Sequence, residues 1–237
     1  GGIGLTAWLN QTSSKLDAPV IGGERGMMDG FAAIFGDAKK VHLVVSEEAG
    51  GYRPEMEWLA AQLNSSERST FNVQRSTFTE FADGDAVYRF FELFDLANVP
   101  ASKAIFTAAA EKRIRLTPPP KPIFEEKLLL ALLWNRNLRP FWRQELGEGF
   151  LNRLLKAVPY SWVVDPTPLP PHGAIPELNI TDWQQLKAMS QKERDLILKV
   201  SGYSEEAWGA RGVFLRSDLS QEDWSKAVDA ALADFEK

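Results

Sequence analysis

Apolar positions in this chain follow two periods, one of strands and one of helices. Lys40-Val-His-Leu-Val-Val-Ser46 is a compact aliphatic, β-branched run and predicts a buried strand. After the polar loop Glu47-Glu-Ala-Gly-Gly-Tyr52, Met56, Leu59, Ala60 and Leu63 recur at i, i+3, i+4 and i+7 behind Pro54, which predicts an amphipathic helix. Asn72-Val-Gln-Arg75 and Gly84-Asp-Ala-Val-Tyr-Arg-Phe-Phe91 read as strands, Ser102 to Arg113 as an alanine-rich helix, and Ile114-Arg-Leu-Thr117 as a short strand. Strands alternating with helices predict a small parallel α/β sheet over residues 38–118. Residues 1–37 read as an irregular N-terminal segment with one short helix at Asp29 to Phe35.

Pro118-Pro-Pro-Lys-Pro122 marks a boundary, because prolines continue neither element and hold the chain extended. Residues 119–237 form the second unit. Glu125-Glu-Lys127 opens a helix through Leu128, Leu129, Leu132 and Leu133, and a second helix covers Glu148 to Ala157. Tyr160-Ser-Trp-Val-Val-Asp165 reads as a strand, and a proline-heavy loop follows. Thr181-Asp-Trp-Gln184 has the spacing of a capping box and predicts a helix to about Arg194. Ser220-Gln-Glu-Asp223 caps a last helix with Trp224, Val228, Ala231 and Phe235 on one face.

Between those two caps lies the stretch that carries candidate chemistry. Asp195-Leu-Ile-Leu-Lys199-Val, the loop Ser201-Gly-Tyr-Ser-Glu-Glu-Ala-Trp-Gly-Ala-Arg-Gly212 and Val213-Phe-Leu215 predict a β-hairpin with a long loop. A lysine inside an aliphatic strand is expensive to bury, so the Lys199 ammonium is expected to reach a cleft and meet an anion. Gly202, Gly209 and Gly212 would let backbone N–H groups approach that anion, with Arg211 as a clamp. The plainer alternatives are a strand-edge Lys199 reaching water and an Arg211 that is simply a loop charge.

Composition narrows the field. The chain has 237 residues, of which 44% are hydrophobic and 25% charged, enough for two structural units of a globular protein. A net charge of −5 and a pI near 5.3 leave no basic footprint for nucleic acid. Cysteine is absent, which excludes disulfides, thiolate nucleophiles and cysteine-bound zinc and fits a cytoplasmic protein. No run approaches the roughly 20 apolar residues of a membrane span. Only His42 and His172 are present, against a three-histidine metal site or a histidine-based triad. His42 reads as a core histidine, the tryptophans as core, and Glu47-Glu48 as a charged loop at a strand end, where α/β sheets bind ligands. Arg53 and Arg89 would serve either a substrate carboxylate or a structural ion pair. Neither a P-loop, a Gly-x-Gly-x-x-Gly, a His-Glu-x-x-His nor a Gly-x-Ser-x-Gly pattern is present.

The order after the proline spacer is a lysine at a helix start, paired helices, an extended segment, a helix, the Lys199 strand, the glycine loop, a strand and a helix. It resembles the N-terminal subdomain of the ATP-grasp fold. Glu126-Lys127-Leu128 looks like that family's first lysine and Lys199 like its second. Upstream, Tyr52-Arg-Pro-Glu-Met-Glu-Trp58 and Gly84-Asp-Ala-Val-Tyr-Arg-Phe-Phe-Glu-Leu-Phe-Asp95 resemble the circularly permuted ATP-grasp proteins related to glutathionylspermidine synthase, which begin with a pre-ATP-grasp α/β domain. The resemblance covers about residues 38–237. The loop departs from it in having fewer glycines, and Glu205 and Glu206 would repel a phosphate if turned inward.

The resemblance implies a small pre-ATP-grasp α/β domain followed by one α+β ATP-grasp subdomain. It further implies an ATP- and Mg2+-dependent carboxylate–amine ligase acting through an acyl phosphate on small-molecule or peptide substrates. Lys127, Lys199, Ser201, Gly202, Gly209, Arg211 and Gly212 are then the nucleotide-binding positions, with Lys127 and Lys199 on the phosphates. A solvated lysine in a first helical turn is the alternative for Lys127. The family's second subdomain, with its Mg2+-binding acids, follows the last helix, so the sequence is expected to be a fragment that is inactive alone. No catalytic residue and no metal ligand are assigned within it. The rival expectation is a non-catalytic binding or scaffold protein that keeps a partial ATP-grasp fold.

Overall fold

The computed structural model describes residues 5, 8, 9, 11, 12, 23, 25–65, 69–190, 195–202, 204–207 and 209–235. The chain divides into two compact units, Gly1–Phe124 and Glu125–Lys237. Among the described residues, no helix is long and apolar enough to cross a membrane.

The first unit is a three-layer α/β structure. Its elements run α1 (Gly26–Ala33), β1 (Lys40–Val45), α2 (Arg53–Asn64), β2 (Thr70–Arg75), β3 (Ala86–Phe90), α3 (Ser102–Ala110) and β4 (Arg115–Thr117). The four strands form one parallel sheet in the order β2-β1-β3-β4. Valine and leucine dominate β1 because it is central and covered on both sides: all its residues but Lys40 are buried. Alternation then sorts side chains between layers. Leu43 lies opposite Tyr88, whose ring meets Phe31 and Phe35 at 5.0 and 6.3 Å from the α1 side. Met56, Leu59, Ala60 and Leu63 form the buried stripe of α2. The opposite layer joins Val44 and Val87 to Val99, Ala101, Ile105 and Ala108 from the α3 region. The crossover from β2 to β3 carries no helix. It lays Phe78 and Phe81 over His42, with ring centroids 5.0 and 5.4 Å away.

The second unit is built from helices and one hairpin. It comprises α4 (Leu128–Trp134), α5 (Arg139–Ala157), β5 (Ile197–Lys199), β6 (Val213–Leu215) and α6 (Gln221–Asp234). Strands β5 and β6 are antiparallel, with Ile197 opposite Leu215, Leu198 opposite Phe214 and Lys199 opposite Val213. Ser220 caps α6 by accepting from the N–H of Asp223 at 3.1 Å. The core gathers Trp224 and Val228 from α6 with Ile175, Leu178, Ile180 and Leu186, and Leu198 and Phe214 pack against it.

Three local expectations are corrected. Tyr160–Asp165 forms no strand: among the described residues it pairs with no other segment of either sheet. Thr181–Gln184 does not start an α-helix. Asp182 accepts from the N–H of Gln184 at 2.7 Å, yet only a 3-10 segment, Trp183–Ala188, follows. The rest of that expected helix, 191–194, lies outside the described residues. Gly147, at φ 71°, divides α5 into two helical stretches: the second, from Glu148 to Ala157, is the expected helix, and the first, over 139–146, precedes it. Phe235 is exposed, and Ala227 takes the place on the buried face of α6.

Candidate functional site

The hairpin of the second unit brings most of the candidate positions together. Residues directly opposite on an antiparallel pair share a face, so the register puts Ile197, Lys199, Val213 and Leu215 on one side and Leu198 with Phe214 on the other. The inner pair packs on the Trp224 core. The outer side is open: Lys199, Ile197 and Leu215 are all exposed. Lys199 is therefore not a buried cation. It stands as a single ammonium beside aliphatic side chains, with no ion pair among the described residues.

Beyond Lys199 the chain folds back on itself. The N–H of Val200 donates to Gly212 O at 2.9 Å, and the N–H of Gly212 donates to Glu206 O at 2.6 Å. Gly212 is required by packing: a Cβ there would lie 2.6 Å from Val200 Cγ2 and 2.7 Å from Glu206 O. Gly209 and Ala210 follow one another in the left-handed region, at φ 62° and 63°, and turn the chain into Arg211, which is exposed. Tyr203 and Trp208, in the same loop, lie outside the described residues.

Lys127 occupies the position before the first residue of α4, as the sequence predicts. Its ammonium is engaged with main-chain carbonyls of the hairpin loop. It donates at 2.9 Å to Ser201 O and at 2.9 Å to Ala207 O. Ser201 Oγ donates to Glu126 Oε2 at 2.5 Å and accepts from the N–H of Leu128 at 3.0 Å, one of the helix-start donors that α4 leaves open. A Cβ on Gly202 would lie 2.9 Å from the Glu126 carboxyl carbon and 3.0 Å from Glu125 O. Gly202 thus serves close approach of the loop to the Glu125-Glu126 backbone. Among the described residues no group of three or more acids or histidines is placed to hold a metal ion. The described residues therefore offer no such cluster for Mg2+.

Two arginines of the first unit bind main chain. Arg89 is buried and donates to Pro118 O, Phe91 O and Pro119 O at 3.0, 2.8 and 3.2 Å. Arg53 donates to Gln74 O and Val45 O at 3.3 and 3.5 Å, with Glu47 Oε1 at 3.9 Å. Glu47 and Glu48 lie at the carboxyl end of β1 beside Gly50 and Gly51, where added Cβ atoms would meet nothing within 4 Å.

Of two buried polar centres, His42 was read from sequence as a core histidine and Arg216 was not singled out. His42, fully buried, has Nε2 2.9 Å from Asp85 Oδ2, which also accepts from the N–H of Ala82 at 2.9 Å. Burial holds the imidazole below its ordinary value of 6.5, against the pull of Asp85. Arg216 is 2% exposed. Its guanidinium donates to Met189 O at 3.0 and 3.1 Å, Leu219 O at 3.1 Å and Gln221 Oε1 at 2.6 Å. It also lies 5.7 Å over the Trp224 ring. An arginine just after a strand in a polar stretch looks solvated in sequence, and nothing local marked it.

No family model, curated protein or solved structure matches this chain.

Proposed function

We propose that the chain supplies the nucleotide-facing hairpin of an ATP-dependent carboxylate–amine ligase of the circularly permuted ATP-grasp kind, acting in the cytoplasm. In this reading ATP phosphorylates a small-molecule or peptide carboxylate, and an amine attacks the acyl phosphate to form the amide and release phosphate. Neither nucleic acid nor membrane takes part. Lys199 on an aliphatic face carries the reading. The flat Ile197, Val213 and Leu215 surface suits a planar base, and the neighbouring ammonium suits its phosphates. Arg211, exposed in the same loop, adds a second cation.

The second reading, a binding or scaffold protein without chemistry, draws on a different observation. The Lys127 ammonium and Gly202, both nucleotide positions by resemblance, are engaged with the chain's own loop.

Calorimetric titration with Mg-ATP separates the two. The ligase reading expects saturable binding by the chain, weakened in Lys199→Ala by about 1.5–3 kcal/mol, the range for a hydrogen bond to a charged group. Lys199→Arg should also lose affinity, because a planar fork replaces a compact ammonium poorly. Unchanged affinity in a folded Lys199→Ala removes Lys199 from the site. Absence of any nucleotide binding leaves the scaffold reading.

A further inference from the structure

A single ammonium holds two main-chain oxygens that are six residues apart. Lys127 Nζ joins Ser201 O at the start of the β5–β6 loop to Ala207 O in its middle, while Ser201 itself joins the Glu126 carboxylate and the N–H of Leu128. Gly202 permits the approach, since any side chain there would press on Glu125 and Glu126. The loop is thus tied to the start of α4 through one connected group of charge-assisted hydrogen bonds, which are stronger than neutral ones. We infer that Lys127 is a positioning residue that sets the conformation of the hairpin loop, with Ser201 and Glu126 as its partners, and not a group that contacts phosphate.

The loop conformation in turn fixes where Lys199 and Arg211 stand relative to each other. Val200 and Gly212, their immediate neighbours, are joined by a hydrogen bond, and Gly212 is held by Glu206, next to the Ala207 carbonyl that Lys127 grips. The inference concerns the same hairpin as the nucleotide reading but is measured without nucleotide, so either can fail alone.

Hydrogen exchange on the whole chain tests it, with Lys127→Met keeping the aliphatic stem and removing the charge. Amides of Ala207 and Gly212 should exchange roughly ten-fold faster or more in that variant, while α6 and the parallel sheet keep their protection. Ser201→Ala should give a smaller increase, and the double variant less than the product of the two, as expected of one connected group. Tryptic cleavage after Arg211 should accelerate in the same order. Exchange at 200–212 equal to wild type in a folded Lys127→Met overturns the inference. So does a Lys127→Met that loses Mg-ATP affinity with no change in exchange, the signature of a phosphate contact. If Lys127→Met costs α6 its protection, Ser201→Ala carries the decision by the same measurement: faster exchange in the loop alone supports the tie, and no change refutes it.

Discussion

Nε2 of His42 lies 2.9 Å from Oδ2 of Asp85, joining the middle of the parallel sheet to the residue that precedes its third strand. A carboxylate only accepts, so Nε2 carries the imidazole proton, and the buried Nδ1 is left without a donor among the described residues. Protonating Nδ1 would bury a donor with no acceptor between Phe78 and Phe81. Desolvation therefore outweighs the attraction of Asp85 and keeps the ring neutral.

Stability of the first unit should consequently depend on pH. The folded chain binds the His42 proton less readily than the unfolded chain, whose histidine titrates near 6.5. Stability is then fully present above that value and is lost as pH falls below it toward the depressed folded value. The urea midpoint should fall as pH is lowered from about 7 to 5, and His42→Gln should flatten that part of the slope. An identical slope in both proteins would assign the effect to other groups.

Arg216 is a buried cation answered by carbonyl oxygens and an aromatic face, with no carboxylate in ion-pair range among the described residues. Arg216→Met should destabilise the second unit by on the order of 3 kcal/mol, because the Met189 and Leu219 carbonyls lose their donor in a dry site. Arg216→Lys should rescue little, since an ammonium cannot fork across them. Chemical unfolding followed by tryptophan fluorescence checks both.

Lys112 sits at φ 59°, two residues beyond the end of α3, where the N–H of Arg113 donates to Ala108 O at 2.9 Å. Glycine adopts that left-handed conformation without a Cβ penalty. Lys112→Gly is expected to raise stability by roughly 0.5–1 kcal/mol, and Lys112→Val to lower it. Thermal unfolding of the two variants should bracket wild type.

Gly212 and Gly50 should respond unequally to alanine. Gly212→Ala forces a Cβ against Val200 and the Glu206 carbonyl and should cost about 1–3 kcal/mol. Gly50→Ala meets open space and should stay within about 0.5 kcal/mol of wild type. A nearly neutral Gly212→Ala would mean that the loop relaxes without resistance.

Much of this architecture was readable in the sequence where burial is continuous or periodic. Val41 to Val45 announces a central strand, Met56 to Leu63 a helix stripe, and Ser220 a helix start whose first buried residue is Trp224. Pairing was less readable, because it depends on a partner far along the chain. Tyr160–Asp165 has strand composition but finds none. The capping box was read one residue early, on Thr181 instead of Asp182, and the helix after it does not form, since Met189 O is gripped by Arg216, 27 residues away, instead of by a next helical turn. The hairpin followed from two apolar runs around a glycine-bearing loop, and the exposure of Lys199 matches the plainer alternative of a strand-edge lysine. The engagement of Lys127 with carbonyls did not follow, because spacing identifies a cation without its acceptor.

The two-sidedness of the hairpin also sets which insertions it tolerates. With Leu198 and Phe214 inward and Lys199 outward, one residue added within β5 would shift the phase of the strand by one. The ammonium would then point into the Trp224 core and a leucine into water. A residue added between Gly209 and Arg211 would leave that phase untouched. Length variation in this region is therefore confined to the turn, and the strands admit changes only in steps of two.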